Sequence, residues 1–434
     1  MSLFDTPATP VPQLLARPLG TGRVDRPLTD DEARQFIQSA FGSADVDGKR
    51  VLVIIPDGTR TAPIALLYRL LYEVVGSRAN RLDYLIALGT HQPMTVAAIT
   101  RMVSMDEAER QRATPNSRVF NHAWDDPDAL ALAGVISADE MRELTGGLVE
   151  RETPVRINKA VFEYDHILII GPVFPHEVAG FSGGAKYLFP GVSGAEIIDS
   201  SHWLGALSTS YATIGVKDTP VRRVLHHAAG FIVARKPVTC LKLAMRGSDL
   251  HGLYTGNHLT AWSDAADLSA QLNICWHDRP YHSVLSMPST KYDDLWTAAK
   301  AMYKTEPVVA DGGEIIIYAP HLKDISVTHG HLIKQVGYHV RDYFLADWEK
   351  YRDIAWTTLA HSTHVKGAGV MVNGVEKPRI RVTLATGIPE DVCRLVNLGW
   401  RDPATIDPDE WRGREDEGYL LVENAGENLY RIKQ

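Results

Sequence analysis

The sequence is poor in cysteine: its 434 residues include 3 Cys against 17 His. Three isolated cysteines exclude a disulfide framework and a zinc site of the CxxC type, so a metal would have to be held by imidazoles, by carboxylates or by a cofactor that brings its own ligands. An excess of basic residues is also absent, because 45 Lys and Arg face 53 Asp and Glu. This balance argues against a nucleic-acid-binding surface.

Long apolar runs are absent as well. No window approaches the ~18 uninterrupted apolar residues of a membrane span, so we expect no membrane partner. Residues 1–20 lack a basic region followed by an apolar stretch, so we expect no signal peptide and a cytoplasmic protein. At roughly 150 residues per domain, the length predicts two or three domains.

Short β-branched runs bounded by Gly, Pro or Asp predict buried strands. Helical spacing of apolar residues predicts helices between them. The alternation of the two predicts an α/β fold with mainly parallel sheets, in which ligands bind at the carboxyl ends of strands. The predicted strands are Val51–Ile55, Tyr84–Leu88, His166–Ile170, Glu314–Tyr318, Arg379–Leu384 and Tyr419–Val422, and the predicted helices are residues 64–76, Pro220–Ala229, Trp262–Leu272 and Asp293–Tyr303.

A polar segment that contains a proline, Trp276–Tyr281, predicts a domain boundary. We therefore expect an N-terminal α/β domain of residues 1–278, a C-terminal α/β domain of residues 279–434 and an active-site cleft between them. Residues 401–434 could complete the second domain or pack back on the first, and the sequence leaves both open.

The segment PDGTRTAP directly follows the first predicted strand. Its Asp57, Thr59 and Arg60 lie in a tight turn before a helix, where backbone N–H groups favour an anion and Arg60 could hold a carboxylate or phosphate. An Asx-type turn that caps the helix is an equal alternative.

His91 lies in the segment ALGTHQPMT, again just past a predicted strand. A histidine at this place can project into a cleft and transfer protons near neutral pH. The alternative is a solvated loop histidine.

The Gly-rich segment 171–203 carries His176, Lys186 and His202. Its glycines, among them Gly183 and Gly184, let the backbone approach a ligand closely. The lysine does not stand in a Walker A pattern. A flexible loop with an ordinary surface lysine is the alternative.

A fourth segment, DDLWTAAKAMYK, places Trp296, Lys300 and Tyr303 on one helix face. Taken alone, this pattern favours an amphipathic helix with a lysine that reaches toward solvent.

Together and in this order, these segments resemble the nickel-dependent lactate racemase family. The likeness extends to FNHAWDDP and to GVKDTPVRRVLHHAAGFIV. Its most specific part is the His-x9-Lys-x15-His spacing of His176, Lys186 and His202 within a GxSGGxKxxxPG frame.

The resemblance implies a cofactor, the nickel-pincer nucleotide (nickel pyridinium-3,5-bisthiocarboxylic acid mononucleotide), which supplies carbon and sulfur ligands to nickel. Lys186 would hold it covalently and His202 would bind the metal. The remaining residues implied at the cofactor are Asp57, Thr59, Gly183 and Gly184. Cofactor-biosynthesis enzymes would be partners, and protein isolated without them may lack the group.

The implied activity is racemisation or epimerisation of a small 2-hydroxy acid by reversible hydride transfer. His91 and His176 would act as acid and base on opposite faces of the substrate, because each enantiomer presents its hydroxyl to a different side. Arg60 and Lys300 would hold the substrate carboxylate.

Two departures from the family pattern bear on the substrate pocket. Thr297 stands where a Gln is common, beside Trp296, and Ser201 stands where an Asn often precedes the metal-binding histidine. These departures keep open an epimerase of a larger hydroxy acid or sugar acid. A non-catalytic protein that binds nickel or the nucleotide is a further alternative, although two bases exceed what a carrier needs.

Overall fold

A computed structural model describes residues 16–433. Residues 1–15, on which the expectation of no signal peptide largely depends, lie outside the described residues. Within residues 16–433, no helix has both the length and the apolar character needed to cross a membrane.

A strand forms in each of the six predicted segments, although Leu88 lies just past the end of its strand and Arg379 and Ile380 lie just before the start of theirs. In chain order the strands are β1 Leu19–Gly22, β2 Arg50–Pro56, β3 Arg81–Ala87, β4 Val119–Asn121, β5 Leu130–Ile136, β6 Thr153–Asn158, β7 His166–Pro172, β8 Pro175–His176, β9 Gly180–Phe181, β10 Val238–Arg246, β11 Asp249–Gly256, β12 Ile274–His277, β13 Tyr281–Pro288, β14 Val309–Ala319, β15 Gly369–Val372, β16 Val375–Pro378, β17 Arg381–Thr386, β18 Gly399–Trp400, β19 Tyr419–Ala425 and β20 Leu429–Ile432.

Each predicted helical segment is helical in the structure, and two of these segments differ in detail from the prediction. The α-helices are α1 Asp30–Phe41, α2 Ile64–Leu71, α3 Val96–Val103, α4 Glu107–Ala113, α5 Ala138–Thr145, α6 Ala160–Glu163, α7 Ala195–Ser208, α8 Ser210–Thr213, α9 Pro220–Val233, α10 Thr260–Asn273, α11 Leu295–Ala298, α12 Lys300–Tyr303, α13 Gly330–Val336, α14 Arg341–Ala346, α15 Trp348–Tyr351, α16 Trp356–Lys366 and α17 Glu390–Leu395. The predicted helix 293–303 is therefore two short helices, α11 and α12. The helix predicted to end at Gly76 is α2 followed by a π-helical turn, Tyr72–Gly76.

The chain divides into two compact units. The first holds the described residues up to Phe174, Phe181–Ser201 and Lys217–Leu272, and the second holds Pro175–Gly180, His202–Val216 and the residues from Asn273 onward. Two short segments of the first half of the chain therefore belong to the second unit.

The first unit is built on a seven-stranded sheet with the order β1-β11-β10-β7-β2-β3-β4. The five strands from β10 to β4 are parallel, and β11 and β1 extend the sheet antiparallel. Val51 to Ile55 of β2 are all buried, as expected for a strand whose two faces are both covered. This arrangement leaves the carboxyl ends of β7, β2 and β3 side by side.

The second unit has a five-stranded, fully parallel sheet with the order β18-β17-β14-β13-β19. Ile315 and Ile317 of β14 lie in the larger core on one face. On the other face Leu285 and Ile316 pack with Ile406 and Trp411 of the last segment. Residues 401–433 thus complete the second unit, and the α/β fold with mainly parallel sheets is confirmed.

Candidate active site

In the first unit, the predicted site residues lie on loops that follow three adjacent strands. Asp57, Thr59 and Arg60 follow β2, His91 lies four residues after β3, and Lys186 lies in the longer segment after β7. Because parallel strands place their carboxyl ends at one edge, the sheet order brings these loops together.

Asp57 and His91 are in direct polar contact at this edge of the sheet. The Nδ1 atom of His91 lies 2.6 Å from Oδ2 of Asp57, and the other carboxylate oxygen accepts hydrogen bonds from the hydroxyl of Thr59 at 2.6 Å and from its backbone N–H at 3.2 Å. Burial of Asp57 opposes its ionisation, but the hydrogen bonds from His91 and Thr59 outweigh burial and lower the pKa of Asp57 to about 2. The Asx turn predicted as an alternative is therefore present, but it does not cap the helix, because α2 begins after Pro63 without a side-chain cap. The Asp57 carboxylate instead orients an imidazole.

Tyr187, which sequence reasoning missed, lies next to Lys186 and interacts with the turn after β2. Its buried ring interacts electrostatically with both Arg60 and Asp57, and burial raises the pKa of its hydroxyl. A side chain at Gly171 would overlap the Tyr187 hydroxyl. A glycine at the end of β7 is therefore what admits the aromatic ring next to Lys186.

Lys186 lies on a 3₁₀ turn, Gly184–Tyr187, and is partly exposed. Gly183 and Gly184 precede it with φ of 81° and 60°. A Cβ at Gly184 would lie 2.9 Å from the Trp262 ring, and one at Gly183 would lie 2.8 Å from Val173. Both glycines are therefore required by backbone conformation and by close packing inside the protein.

Arg222 of α9, also missed by sequence reasoning, binds the backbone of this loop. Its guanidinium donates to the carbonyl of Gly183 at 3.0 Å and to that of Phe181, and it stacks over Trp262 at 4.3 Å. The side chain is fully buried, and burial lowers the pKa of the guanidinium to about 9.

The segment FNHAWDDP supports the site loops rather than adding a reactive group. Asn121 exchanges two hydrogen bonds with the backbone of Met94, three residues after His91. His122 contacts the carbonyl of Ser193 at 3.0 Å, beyond the lysine turn. A direct backbone bond from Gly89 to Gly191, 2.9 Å long, joins the same two loops.

In the second unit, His176 is buried beside a carboxylate that sequence reasoning missed. Nδ1 of His176 lies 3.5 Å from the Glu177 carboxylate and accepts a hydrogen bond from the N–H of Val178 at 3.1 Å. Burial of Glu177 opposes ionisation, but the charges of His176 and Lys300 hold the pKa of this carboxyl well below its usual range. Glu177 is thus the negative group next to both predicted site residues.

His202 lies on α7 and is partly exposed. Within the second unit it interacts electrostatically with His364 of α16, whose pKa burial lowers to about 4. Ser201, which precedes His202, directs its hydroxyl to the carbonyl of Ile198 on its own helix.

Trp296 and Thr297, the predicted pocket residues, have different surroundings. The Trp296 ring stacks on His361 with ring centroids 3.9 Å apart. The Thr297 hydroxyl donates to the carboxylate of Asp294 at 2.9 Å. Asp294 is the N-cap residue of α11.

A metal centre made of protein side chains alone is not seen in the described residues. Among residues 16–433, no group of three or more His, Cys, Asp or Glu is placed to hold a metal ion.

Comparison with known proteins matches the part of the chain that carries most of these site residues. A family model described as the lactate racemase N-terminal domain matches residues 34–215. A protein of known structure from Thermotoga maritima is 32% identical, with a TM-score of 0.84 over 95% of this chain and 100% of that chain.

The chain belongs to the lactate racemase family. The lactate racemase of Thermoanaerobacterium thermosaccharolyticum is 26% identical over 234 residues, 52% of this chain and 50% of that protein. The lactate racemase of Lactiplantibacillus plantarum is 26% identical over 182 residues, 41% of this chain and 36% of the relative. The matched regions thus span half or less of these curated relatives.

The structure of the T. thermosaccharolyticum lactate racemase apoprotein has a TM-score of 0.71, with 18% identity, over 97% of this chain and 95% of that chain. At this identity the likeness concerns the fold alone. It shows that the lactate racemase fold extends over both units of this chain.

Proposed function

We propose that the chain is a racemase or epimerase of 2-hydroxy acids that works by hydride transfer, with His91 and His176 as the acid and base. The observation that carries the proposal is that each of these imidazoles is paired with a buried carboxylate, His91 with Asp57 and His176 with Glu177. Two separately oriented proton carriers are what inversion of a hydroxyl-bearing carbon requires. A carrier or sensor of the cofactor would need neither pair.

The chemistry of the available donors fits the nickel-pincer nucleotide implied by the family. Lys186 offers a partly exposed primary amine on its turn, and His202 offers a partly exposed imidazole. Lys186 would hold the group and His202 would bind its metal, while Asp57, Thr59, Gly183 and Gly184 support the turns around it. When bound, the group would supply a hydride acceptor and donor for C2 of the substrate.

Asp57 prepares His91 to receive a proton. An ionised carboxylate only accepts hydrogen bonds, so Nδ1 of His91 carries a proton and donates it to Asp57. The lone pair of the neutral ring is then on Nε2, which can take the proton of the substrate hydroxyl while C2 loses its hydride. The product of that step is the flat 2-keto acid.

His176 has the complementary arrangement. The N–H of Val178 donates to its Nδ1, so the neutral ring carries its proton on Nε2. When Nδ1 is also protonated, His176 is an imidazolium, which Glu177 stabilises at 3.5 Å. In this form its Nε2–H can deliver a proton to the keto oxygen, which leaves a neutral ring with its proton on Nδ1. Return of the hydride to the opposite face then gives the other stereoisomer. Proton exchange with water afterwards restores His91 and His176 to their starting states.

Arg60 and Lys300 supply positive charge for the substrate carboxylate. Arg60 lies on the turn after β2, and Lys300 begins α12, where its Nζ lies 5.2 Å from the centre of the Tyr292 ring. A guanidinium can bind a carboxylate through two parallel hydrogen bonds. Holding the carboxylate leaves C2 as the only carbon free to invert.

The test begins with the protein coexpressed with enzymes that make the cofactor. Intact mass should show an added group on the wild-type protein and on Lys49→Ala, which replaces a partly exposed lysine outside the site, and none on Lys186→Ala. The same added mass on Lys186→Ala would contradict the tether. Chiral chromatography should then show interconversion of 2-hydroxy acid stereoisomers.

The route of the hydrogen is tested with substrate deuterated at C2. Hydride transfer returns the deuterium to C2, so the inverted product should retain it in ordinary water. Proton abstraction would exchange it with solvent, and loss of the label during inversion would sink the proposal. His91→Gln and His176→Gln should each lower kcat by about 10²- to 10⁴-fold, as expected for loss of a general acid or base.

A further inference from the structure

Strand β10 carries a lysine whose amino group lies inside the protein without a polar partner. The Lys242 side chain is fully buried, and its Nζ has no hydrogen-bond partner among the described residues. Its electrostatic neighbours are Cys240, whose thiol stays neutral because burial raises its pKa, and Arg222, which carries the same charge as Lys242. An unpaired charge in a protein interior costs stability. Neither the sheet nor the proposed reaction accounts for this lysine.

The one close contact of the Lys242 ammonium is an aromatic ring. Its Nζ lies 4.5 Å from the centre of the Tyr187 ring, a distance at which the face of a ring attracts a cation. Lys242 pairs with Gly171 of β7 in the sheet, and a side chain at Gly171 would overlap the Tyr187 hydroxyl. The ring thus packs where β7 ends, in contact with the Gly171 backbone and with the buried ammonium.

Tyr187 is also connected to residues of the proposed reaction. It shares a 3₁₀ turn with Lys186, so a shift of its ring moves the backbone that carries this lysine. Tyr187 also interacts electrostatically with Arg60 and Asp57 of the turn after β2. A group that restrains the Tyr187 ring therefore restrains the lysine turn next to these two charges.

We propose that Lys242 is a positioning residue of the lysine turn: its buried ammonium holds the Tyr187 ring, and the ring holds the backbone of Lys186 in place for attachment of the cofactor. This inference rests on the proposed function, because it takes Lys186 as the tether. An apolar side chain at position 242 would avoid the cost of burying a charge. A stability cost of this kind is typical of residues that are kept for function.

The first test measures the charge of Lys242 in the apoprotein. Burial lowers the pKa of Lys242 from 10.5 to about 8. Between these values the unfolded chain binds more protons than the folded chain, so the contribution of Lys242 to stability rises as pH increases from 8 to 10. From pH 7.5 to 10, the melting temperature of the wild type should therefore rise by about 3–8 °C relative to that of Lys242→Leu. A constant difference would show that Lys242 is not a buried, unpaired ammonium.

The second test follows covalent loading over time, by intact mass, in cells that also make the cofactor. Leucine is too short to reach the ring, so Lys242→Leu should load about 10-fold more slowly than the wild type, as expected for loss of a desolvated cation–π contact. Tyr187→Phe keeps the ring and should load within about twofold of the wild type. Tyr187→Leu should load as slowly as Lys242→Leu. Lys49→Leu, the matched control for loss of a lysine, should load like the wild type.

The double variant Lys242→Leu/Tyr187→Leu distinguishes a shared role from two independent ones. If Lys242 acts through Tyr187, the double variant should load about 10-fold more slowly than the wild type, like each single variant, instead of ~100-fold. A multiplied loss would overturn the inference. So would a folded Lys242→Leu protein that loads like the wild type, or equal losses for Tyr187→Phe and Tyr187→Leu. Failure of Lys242→Leu to fold would also overturn it, since an apolar residue should be tolerated there.

These measurements separate the inference from the proposed function, because melting and loading do not require turnover. If the loaded wild-type protein inverts no 2-hydroxy acid, the racemase proposal fails while the loading rates still decide the role of Lys242. If the wild-type protein gains no mass at Lys186, the tether is wrong and the inference fails with it.

Discussion

Asp57 shows why a single carboxylate can be both structural and catalytic. One of its oxygens closes a turn with Thr59, and the other fixes the His91 ring. A drop in pKa from 3.8 to about 2 corresponds to about 2 kcal/mol of extra stability for the ionised form. The carboxylate therefore stays charged over the pH range in which an imidazole titrates.

Asp57→Asn tests the orienting role of this carboxylate. The amide can still accept from Thr59, but it no longer holds a proton on Nδ1 of His91, so the base is lost as a defined tautomer. We expect kcat of the loaded enzyme to fall by about 10²- to 10⁴-fold, and the intact mass to show the same added group as in the wild type. A kcat within threefold of wild type would contradict the role assigned to Asp57.

Other residues of the candidate site were outside the reach of sequence reasoning. In the sequence, Glu177 is only an acidic residue next to a histidine, which is a common pairing, and its burial and its interaction with Lys300 distinguish it in the structure. Tyr187 and Arg222 were missed because they carry no motif of their own. Their roles depend on which chain segments lie against them.

At the scale of elements, the lysine turn depends on glycines at positive φ. Gly184 has φ of 60° and Gly146, at the end of α5, has φ of 65°. A Cβ at Gly184 would press on Trp262, whereas nothing lies within 4 Å of a Cβ at Gly146. The two positions differ in packing and share the backbone conformation.

Gly184→Ala and Gly146→Ala separate these two effects. Both should lose about 1 kcal/mol from the unfavourable backbone conformation of alanine. Gly184→Ala should lose a further ~1–3 kcal/mol because Trp262 must shift in a packed interior. Chemical denaturation of the apoproteins measures the difference, and equal losses for both variants would show that Trp262 does not restrain the turn.

Element prediction succeeded where the apolar pattern was long, and it missed the division of the segment 293–303 into two helices. The continuous apolar run of β2 marks a doubly covered strand, and it was found from the sequence. The segment 293–303 has helical periodicity, yet it is two helices that meet at Ala299. The cap that Asp294 provides for Thr297 also turns a predicted pocket residue toward its own backbone.

At the scale of the whole molecule, several histidines are buried in neutral form. Burial lowers the pKa of His258 to about 4, that of His361 to about 3 and that of His364 to about 4. An unfolded chain binds these protons near pH 6.5, so between pH 6.5 and 4 it holds more protons than the folded chain. The folded state therefore loses stability as pH falls through this window.

The expected result is a steep drop in melting temperature between pH 6.5 and 4.5. Each of the three imidazoles contributes about 1.4 kcal/mol per pH unit below ~6. The contribution of Asp57 is lost only below about pH 4, as that carboxyl protonates. Calorimetry of the apoprotein at several pH values measures the slope.

Variants attribute that slope to buried rings. His258→Leu removes one such ring and should make the slope shallower, while His282→Gln, at an exposed position, should leave it as it is. A melting temperature that stays constant from pH 6.5 to 4.5 would contradict the assignment of these histidines as neutral.

The sequence by itself determined the α/β class, the six strands tested above and the family, because these depend on local apolar patterning and on motif spacing along the chain. Only the tertiary structure decided that residues 401–433 belong to the second unit, that Asp57 contacts His91 and that Glu177 lies beside His176 in a buried setting. These facts depend on contacts between distant segments and on burial. The charge state and the hydrogen-bond partner of a side chain depend on neighbours that are distant in the sequence.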